Sequence, residues 1–291
     1  MEIIEEKNNI RLRALDSFVP KHIFECGQSF RWNFDGMGYI GVVGDKVMRV
    51  VEDGKDIIFE GCNVDDFYDT WIDYFDLDRD YGSIRSKLIE FDSIMKKATV
   101  FGYGIRLLNQ DPWETLISFI LSANNNINRI KKTIENICMI YGDKILWRGQ
   151  EYYTFPSPTI LANSDIDTLR RCGCGYRDRY ILETAKKVVE NEAKLYSLRM
   201  LSYDEAIDFL LKFSGVGPKV ADCVALFSLG KYEAFPVDVW IKRIVEALYF
   251  EREEICKEDI KRFASNKFGD YAGFAQQYLF YYARENHIGN G

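Results

Sequence analysis

Residues 213–226, FSGVGPKVADCVAL, place two glycines and a proline beside a lysine, between two segments with helical spacing of apolar residues. Ser202 begins a capping-box pattern that predicts the start of a first helix. Pro218 is typical of the first position of a second helix, and Gly230 is typical of its end. Because glycine and proline disfavour helix interiors, the stretch predicts a tight turn at residues 215–217 that joins two helices into a hairpin.

The turn has a possible use of its own. Gly215 and Gly217 would leave the amides at the start of the second helix unpaired and unobstructed, which favours binding of one phosphate. A plain helical hairpin with a glycine turn is the alternative, and the glycines alone do not decide between the two.

Lys219 and Cys223 are four residues apart and therefore share one face of the second helix. A lysine in a confined, partly desolvated place loses part of its preference for the charged form, and a neutral amine is a nucleophile. The alternative is an exposed lysine that pairs with Asp222.

Asp238 follows a proline and precedes residues with apolar helical spacing, in FPVDVW at 235–240. It is a candidate N-cap, which would be a structural role. A carboxylate held at a helix start could also stabilise a developing positive charge.

The composition describes a soluble, folded protein. The 291 residues are 47% hydrophobic, and no apolar run approaches the roughly 20 residues that cross a bilayer, so we expect no membrane association. We find no signal-peptide pattern and expect a cytoplasmic protein that is not secreted. The seven cysteines are scattered, which predicts neither a disulfide framework nor a metal site.

The charge distribution is uneven. A net charge of −7 argues mildly against a strongly anionic partner. Between residues 168 and 187, however, six basic side chains stand against two acidic ones, and this local excess could neutralise phosphates. A solvated helix face would show a similar run.

The pattern of elements predicts an α+β protein. Residues 39–60 read as an antiparallel meander with turns at residues 44–45 and 53–54, and helical spacing follows from Val64 onward. Asp111 caps an apolar helix to about Ser122, with a returning carboxylate from Glu114. We therefore predict a mixed α/β domain with an antiparallel sheet over residues 1–103 and an all-helical region over residues 104–291.

GVGPK at 215–219, followed 19 residues after the lysine by Asp238 within Pro-Val-Asp, resembles the helix-hairpin-helix glycosylases. More narrowly, the chain resembles the 8-oxoguanine DNA glycosylases. Further matching blocks extend from about residue 24 to residue 283, namely GQSFRW at 27–32, RLL at 106–108, QDP at 110–112, SANNN at 122–126, GYR at 175–177 and YAGFAQ at 271–276.

The resemblance implies a bifunctional repair enzyme with its active site between helical subdomains. Lys219 matches the nucleophile that attacks the sugar, expels the damaged base and leaves a Schiff base open to β-elimination. Asp238 matches the essential carboxylate. The target 8-oxoguanine, preferably opposite cytosine, must first be flipped out of double-stranded DNA.

The resemblance also assigns a base pocket. Gly27 matches the residue whose carbonyl accepts the proton on N7 of 8-oxoguanine, an atom that in guanine is itself an acceptor. Gln276 and Phe280 match the residues that bond the pairing edge and stack on the base, although core packing is the alternative for Phe280. Cys223 would close the other face, and Pro236 would line the wall.

On the DNA side, the resemblance places Asn124 in the gap left by the flipped base and Tyr176 as a wedge in the stack. Arg129 and Arg177 match the pair that grips the orphaned cytosine. The hairpin residues Gly215, Gly217 and Val220, together with Trp240, would contact the DNA backbone. We expect a monomer, associated with the nucleoid in a bacterium or archaeon, or nuclear in a eukaryote.

Two features depart from the animal enzymes of this family. Trp240 stands where they carry a histidine, and Ala283 stands where the acidic partner of that histidine would be. The cysteine cluster of the related iron–sulfur branch is missing, since only Cys256 is found near the C-terminal end, so we expect no iron–sulfur cluster and no other cofactor. Carbonyls of the hairpin could hold a structural monovalent cation.

Three other functions fit part of this pattern. A non-catalytic DNA-binding module would need the glycines but not Lys219 and Asp238. A small-molecule Schiff-base lyase would usually carry its lysine on a barrel strand, and no alternation of strands and helices is present. A glycosylase for another damaged purine is the nearest alternative, and Gly27 together with Lys219 disfavours it.

Overall fold

The computed structural model describes residues 1–289, and of residues 192–193 the backbone only. Six antiparallel strands form one sheet in the order β1-β2-β6-β5-β4-β3, and two more strands form a separate hairpin. Their bounds are β1 Glu2–Glu6, β2 Asn9–Arg13, β3 Trp32–Phe34, β4 Tyr39–Val43, β5 Lys46–Asp53, β6 Asp56–Glu60, β7 Lys144–Trp147 and β8 Gln150–Tyr153.

Helices make up most of the rest of the described chain. They are α1 Pro20–Phe24, α2 Val64–Asp66, α3 Ile72–Tyr74, α4 Tyr81–Phe91, α5 Ser93–Phe101, α6 Pro112–Ser122, α7 Ile127–Tyr141, α8 Pro158–Ala162, α9 Ile166–Leu169, α10 Asp178–Glu190, α11 Glu192–Ser197, α12 Tyr203–Leu210, α13 Pro218–Ser228, α14 Val239–Tyr249, α15 Lys257–Phe268 and α16 Ala272–Glu285. Shorter π or 3₁₀ turns lie at Phe67–Trp71, Arg170–Cys174, Gly175–Arg177, Leu198–Met200 and Gly269–Tyr271.

The sheet confirms the predicted meander and extends it. Strands β4, β5 and β6 pair in sequence order with the predicted turns between them, and β1 and β2 add a further hairpin at one edge. Aromatic side chains fill the core beneath the sheet, where Phe24 stacks on Trp32 with ring centroids 4.2 Å apart. This packing anchors the loop that carries Gly27.

The predicted helical hairpin is confirmed. Ser202 and Glu205 form both bonds of the capping box at α12, and Pro218 begins α13. Gly230 follows α13 with a φ of +69°, as expected for a glycine that ends a helix.

Helix α6 passes through the centre of the helical region and packs against α13. Nine of its eleven residues are buried. Phe119 of α6 stacks on Phe227 of α13 with ring centroids 5.5 Å apart. Because the two helices are in direct contact, the end of α6 lies beside the start of α13, where Lys219 is found.

The predicted return of the Glu114 carboxylate to the start of α6 is wrong. The Asp111 side chain caps α6 by accepting the Glu114 N–H at 2.8 Å, but the Glu114 carboxylate does not return to the cap. It lies 3.5 Å from Arg31 instead, because the guanidinium offers a charged partner across the fold.

The region after residue 103 is mostly but not entirely helical, since β7 and β8 form a hairpin. Its turn, Arg148-Gly149, has positive φ at both residues, as in a type I′ turn. In the sequence, Gly149 was the residue that could have indicated this turn.

The division after residue 103 stays a prediction, and residues 290–291 of its second part lie outside the described residues. Buried side chains of α4 and α5, such as Leu88 and Met95, belong to the same apolar cluster as Leu116 and Val224. No helix within residues 1–289 is long and apolar enough to span a bilayer.

Candidate active site

A cleft of about 870 Å³ opens where the loop after α1, the α6–α7 turn, the first turn of α13, the start of α14 and the end of α16 meet. Five of the predicted site residues line it together: Gly27, Lys219, Asp238, Trp240 and Phe280. Residues from distant parts of the chain therefore converge on one cavity.

Lys219 lies in the first turn of α13 and reaches toward the end of α6. Its Nζ donates a hydrogen bond of 3.0 Å to Ser122 Oγ and lies 5.0 Å from the centroid of the Phe119 ring. Asp222 is not its partner, because that carboxylate is buried and pairs with Lys261. The alternative of an exposed Lys219–Asp222 pair is therefore wrong.

Asp238 is the N-cap of α14. Its Oδ1 accepts the N–H of Ile241 at 2.8 Å, which orients the carboxylate at the cleft wall and leaves Oδ2 for another contact. The capping role is thus confirmed, and it is compatible with a role in the cleft.

Gly27 and Phe280 pack closely at one side of the cleft. Gly27 has a φ of +82°, and a Cβ there would lie 3.1 Å from Phe280 Cε1. Arg284 lies one turn further along α16, with its guanidinium carbon 5.7 Å from the centroid of the Phe280 ring. The glycine therefore allows the backbone to approach this ring.

Three further residues were predicted for the base pocket, namely Cys223, Pro236 and Gln276. All three are buried, and none is among the cleft-lining residues of the described chain. Burial raises the pKa of the Cys223 thiol to about 12, although the positive charge of Lys219 opposes that shift. Gln276 Oε1 accepts a hydrogen bond of 2.7 Å from Gln277 Nε2. Their contacts with a base stay predictions.

The structure groups three of the four residues predicted to contact the DNA around the flipped base and the orphaned cytosine. Asn124 is exposed in the α6–α7 turn with a φ of +49°, and Tyr176 is 58% exposed. The Arg177 guanidinium carbon lies 4.3 Å from the centroid of the Tyr176 ring. Arg129 is also exposed and lies in the first turn of α7.

Arg177 itself is turned inward. It is only 5% exposed, and its Nε donates to the Ala123 carbonyl at 3.0 Å while its Nη2 donates to the Asn124 carbonyl at 3.1 Å. In this conformation the guanidinium holds the α6–α7 turn, so it is not free to bind a cytosine.

The hairpin turn is tightly packed on one side and open on the other. A Cβ at Gly215, where φ is +78°, would lie 2.8 Å from the ring of Tyr180, whereas one at Gly217 would meet nothing within 4 Å. Val220 is only 4% exposed, so its side chain belongs to the core. The open side at Gly217 is the side available to a phosphate.

Sequence reasoning assigned no role to several residues of the cleft. Ser122 lay within a matching block, but nothing in the spacing indicated its contact with Lys219. The turn after α16 folds back so that Ile288 N–H donates to the Ala283 carbonyl at 2.8 Å, and His287 then lines the cleft. Ala283 is fully buried, whereas Trp240 is 48% exposed.

Comparison with known proteins agrees with this geometry. Residues 11–116 match the family model described as 8-oxoguanine DNA glycosylase, N-terminal domain, and residues 117–269 match the one described as HhH-GPD superfamily base excision DNA repair protein. The second match alone covers more than half of the chain.

Several curated relatives carry the name N-glycosylase/DNA lyase. The one from Saccharomyces cerevisiae is 33% identical, over 89% of this chain and 81% of its own length. The one from Methanothermobacter thermautotrophicus, named as probable, is 38% identical over 63% of this chain and 64% of its own length.

A solved structure is similar over nearly the whole chain. It is the Clostridium acetobutylicum 8-oxoguanine glycosylase/lyase in complex with double-stranded DNA that contains cytosine opposite 8-oxoguanine. It is 43% identical, with a TM-score of 0.95 over 99% of both chains. The chain described here belongs to the HhH-GPD superfamily of base excision DNA repair proteins and carries the N-terminal domain of the 8-oxoguanine DNA glycosylases.

Proposed function

We propose that this protein is a bifunctional DNA glycosylase and lyase that excises 8-oxoguanine from double-stranded DNA and then cleaves the strand. The observation that carries the proposal is the convergence of Lys219, Asp238, Gly27 and Phe280 on one cleft. The names of the relatives, and the DNA-bound Clostridium structure, support the same reaction and the same substrate.

Excision begins with attack by the amine of Lys219. Its lone pair forms a bond to C1′ of the flipped nucleotide as the bond from C1′ to N9 breaks, and the electron pair leaves with the base. The base takes up the proton that the newly bonded nitrogen loses. Asp238 is held at the cleft wall by its cap bond to Ile241, so its charge is fixed where the sugar carbon becomes positive.

Strand cleavage follows from the same covalent bond. The amine attached to C1′ expels the ring oxygen O4′, which is protonated, and a Schiff base remains between Lys219 and C1′. Loss of a proton from C2′ then expels the phosphate at C3′ and breaks the strand. Hydrolysis of the Schiff base returns the lysine. This sequence needs Lys219 and Asp238, and we assign it no cofactor.

Recognition of the lesion rests on the proton at N7. We assign the Gly27 carbonyl as its acceptor and Phe280 as the stacking ring, since these residues lie together in the cleft. Gln276 and Cys223 are buried and are not among the cleft-lining residues of the described chain, so their contacts with the base require local movement. Guanine, which offers an acceptor at N7, would oppose the carbonyl.

The duplex would lie across the exposed residues Asn124, Arg129 and Tyr176 and the open side of the hairpin at Gly217. We assign Arg129 and Arg177 to the orphaned cytosine, and Arg177 has to leave its present backbone partners to reach it. A protein acting as a monomer suffices for this arrangement, and a monovalent cation at the hairpin carbonyls stays a prediction.

Borohydride trapping tests the proposal, because the reagent reduces a Schiff base to a stable amine and leaves the protein covalently bound to DNA. We expect wild-type protein to be trapped on duplexes with 8-oxoguanine, most strongly opposite cytosine. Lys219→Gln should still bind these duplexes without being trapped. Lys87→Gln is the matched control, because Lys87 is an exposed lysine outside the cleft.

Other outcomes would change the assignment. An adduct retained by Lys219→Gln would mean that another residue is the nucleophile. Base release without any adduct would make the protein a monofunctional glycosylase. Tight binding with no base release would make it a DNA-binding module, and release of an alkylated purine instead would change the substrate.

A further inference from the structure

The hydroxyl of Ser122 has a fixed orientation. Ser122 Oγ donates to the Phe119 carbonyl at 2.8 Å, and the same oxygen accepts the hydrogen bond of 3.0 Å from Lys219 Nζ. A serine hydroxyl has one proton and two lone pairs, so with its proton on Phe119 it offers lone pairs to the lysine. Ser122 therefore holds the end of the Lys219 side chain at a defined position in the cleft.

Ser122 is the last residue of α6, and the chain turns sharply after it. Asn124, two residues later, has a φ of +49°, in the left-handed region that asparagine tolerates better than most residues. Arg177 binds the carbonyls of Ala123 and Asn124. Residues 122–124 thus contact Lys219 at one end and Arg177 at the other.

The donors of Arg177 are almost all in use. A guanidinium has five N–H donors. Nε and Nη2 donate to the Ala123 carbonyl, Nη2 also donates to Asn124, and Nη1 makes a long contact of 3.5 Å with the Cys174 carbonyl. Bidentate contact with a cytosine would therefore require Arg177 to release carbonyls of residues 123 and 124.

We infer that Ser122 is a positioning residue for Lys219, and that residues 122–124 connect the base opposite the lesion, through Arg177, to the position of the nucleophile. The inference rests on the proposed function. When Arg177 binds the orphaned cytosine, the turn loses its buried cation and readjusts, and Ser122 transmits the change to the amine. Opposite a base that Arg177 cannot bind, the turn keeps the arrangement seen here.

Single-turnover excision by Ser122→Ala, with 8-oxoguanine opposite cytosine and opposite adenine, tests both parts. We expect the rate opposite cytosine to fall about tenfold, as for loss of one hydrogen bond that orients the amine. Opposite adenine the turn does not readjust and the wild-type amine is less well placed, so removal of the Ser122 hydroxyl should cost less there, and the cytosine-to-adenine rate ratio should drop by about threefold or more. The dissociation constant for the DNA should stay within about twofold of wild type, because Ser122 contacts Lys219 rather than DNA.

Two further variants separate positioning from folding. Ser122→Thr keeps the hydroxyl and should recover most of the rate and of the ratio. Ser118→Ala removes another buried hydroxyl from α6, one turn earlier and not among the residues that line the cleft, and should change neither. If Ser122→Ala does not fold, Ser122→Cys, which keeps the size but accepts hydrogen bonds weakly, replaces it.

An unchanged rate in Ser122→Ala would overturn the positioning role. An equal loss of rate in Ser122→Ala opposite cytosine and opposite adenine would support the positioning role but overturn the connection to Arg177. Trapping on a duplex with a preformed abasic site separates this inference from the proposed function, because it needs the Lys219 amine but no lesion recognition. If wild type is trapped there but never excises 8-oxoguanine, the proposed function fails, and the effect of Ser122→Ala on trapping still tests the positioning role.

Discussion

Lys261 Nζ lies 2.7 Å from Asp222 Oδ2, and this salt bridge ties α15 to the helix that carries Lys219. Asp222 is only 1% exposed, and its Oδ1 accepts a hydrogen bond of 2.6 Å from the hydroxyl of Tyr203 in α12. Burial raises the pKa of Asp222, while Lys261 and Tyr203 oppose that shift. Three helices of the hairpin region are therefore joined through one buried carboxylate.

Lys261→Met should destabilise the protein, because it leaves the Asp222 charge buried without its cation. We expect the free energy of unfolding in urea to fall by about 3 kcal/mol. Lys87→Met breaks the exposed Lys87–Glu90 pair and should lower the free energy of unfolding far less, because solvent screens that pair. Equal losses in the two variants would show that the buried pair contributes nothing beyond a surface pair.

Asp238→Asn separates the two roles of this residue. Asparagine caps helices about as well as aspartate, so the unfolding midpoint should stay close to that of wild type. The single-turnover rate should fall by about a hundredfold or more, because the fixed negative charge is lost. Asp238→Ala removes the cap as well and should additionally lose about 1 kcal/mol of stability. Wild-type rates in Asp238→Asn would restrict the residue to capping.

Gly27→Ala should damage the base pocket. The added Cβ would lie 3.1 Å from Phe280 Cε1, and the φ of +82° disfavours any side chain. Gly36→Ala is a matched control, since φ there is +94° but nothing lies within 4 Å of the new Cβ. Both variants should lose about 1 kcal/mol in urea unfolding. Only Gly27→Ala should lose excision of 8-oxoguanine, and equal activity in both would contradict the pocket assignment.

Glu114 should make stability depend on pH. Burial raises its pKa to about 7, although Arg31 opposes the shift. Since an unfolded glutamate has a pKa of about 4.3, the folded state binds the extra proton between these values, and the free energy of unfolding falls as pH rises through that window. The slope contributed by this group is at most about 1.4 kcal/mol per pH unit.

Urea unfolding of wild type and Glu114→Gln at about pH 5 and about pH 7.5 measures this contribution. Wild type should lose stability relative to the variant on going to the higher pH. A parallel response of the two proteins would mean that Glu114 is ionised at both values.

Local patterns in the sequence predicted the elements that build the site. The capping box at Ser202, the proline that begins α13 and the cap at Asp238 all involve partners within four residues, and all are confirmed. The type I′ hairpin at residues 144–153 was missed, because its strands are short and only Gly149 marks the turn. The prediction that the Glu114 carboxylate returns to the cap of α6 was wrong, because this carboxylate lies beside Arg31 instead.

The sequence by itself therefore determined the helical hairpin and the meander, since these depend on backbone preferences over a few positions. The roles of Lys219 and Asp238 came from the resemblance to a family and stay predictions. Only the tertiary structure decided which side chains meet. Ser122 and Lys219 are 97 residues apart, and Arg177 lies 54 residues from the Ala123 carbonyl that it binds. Such contacts arise from the packing of α6 against α13 and of the α6–α7 turn against the segment before α10, and no short-range pattern specifies them.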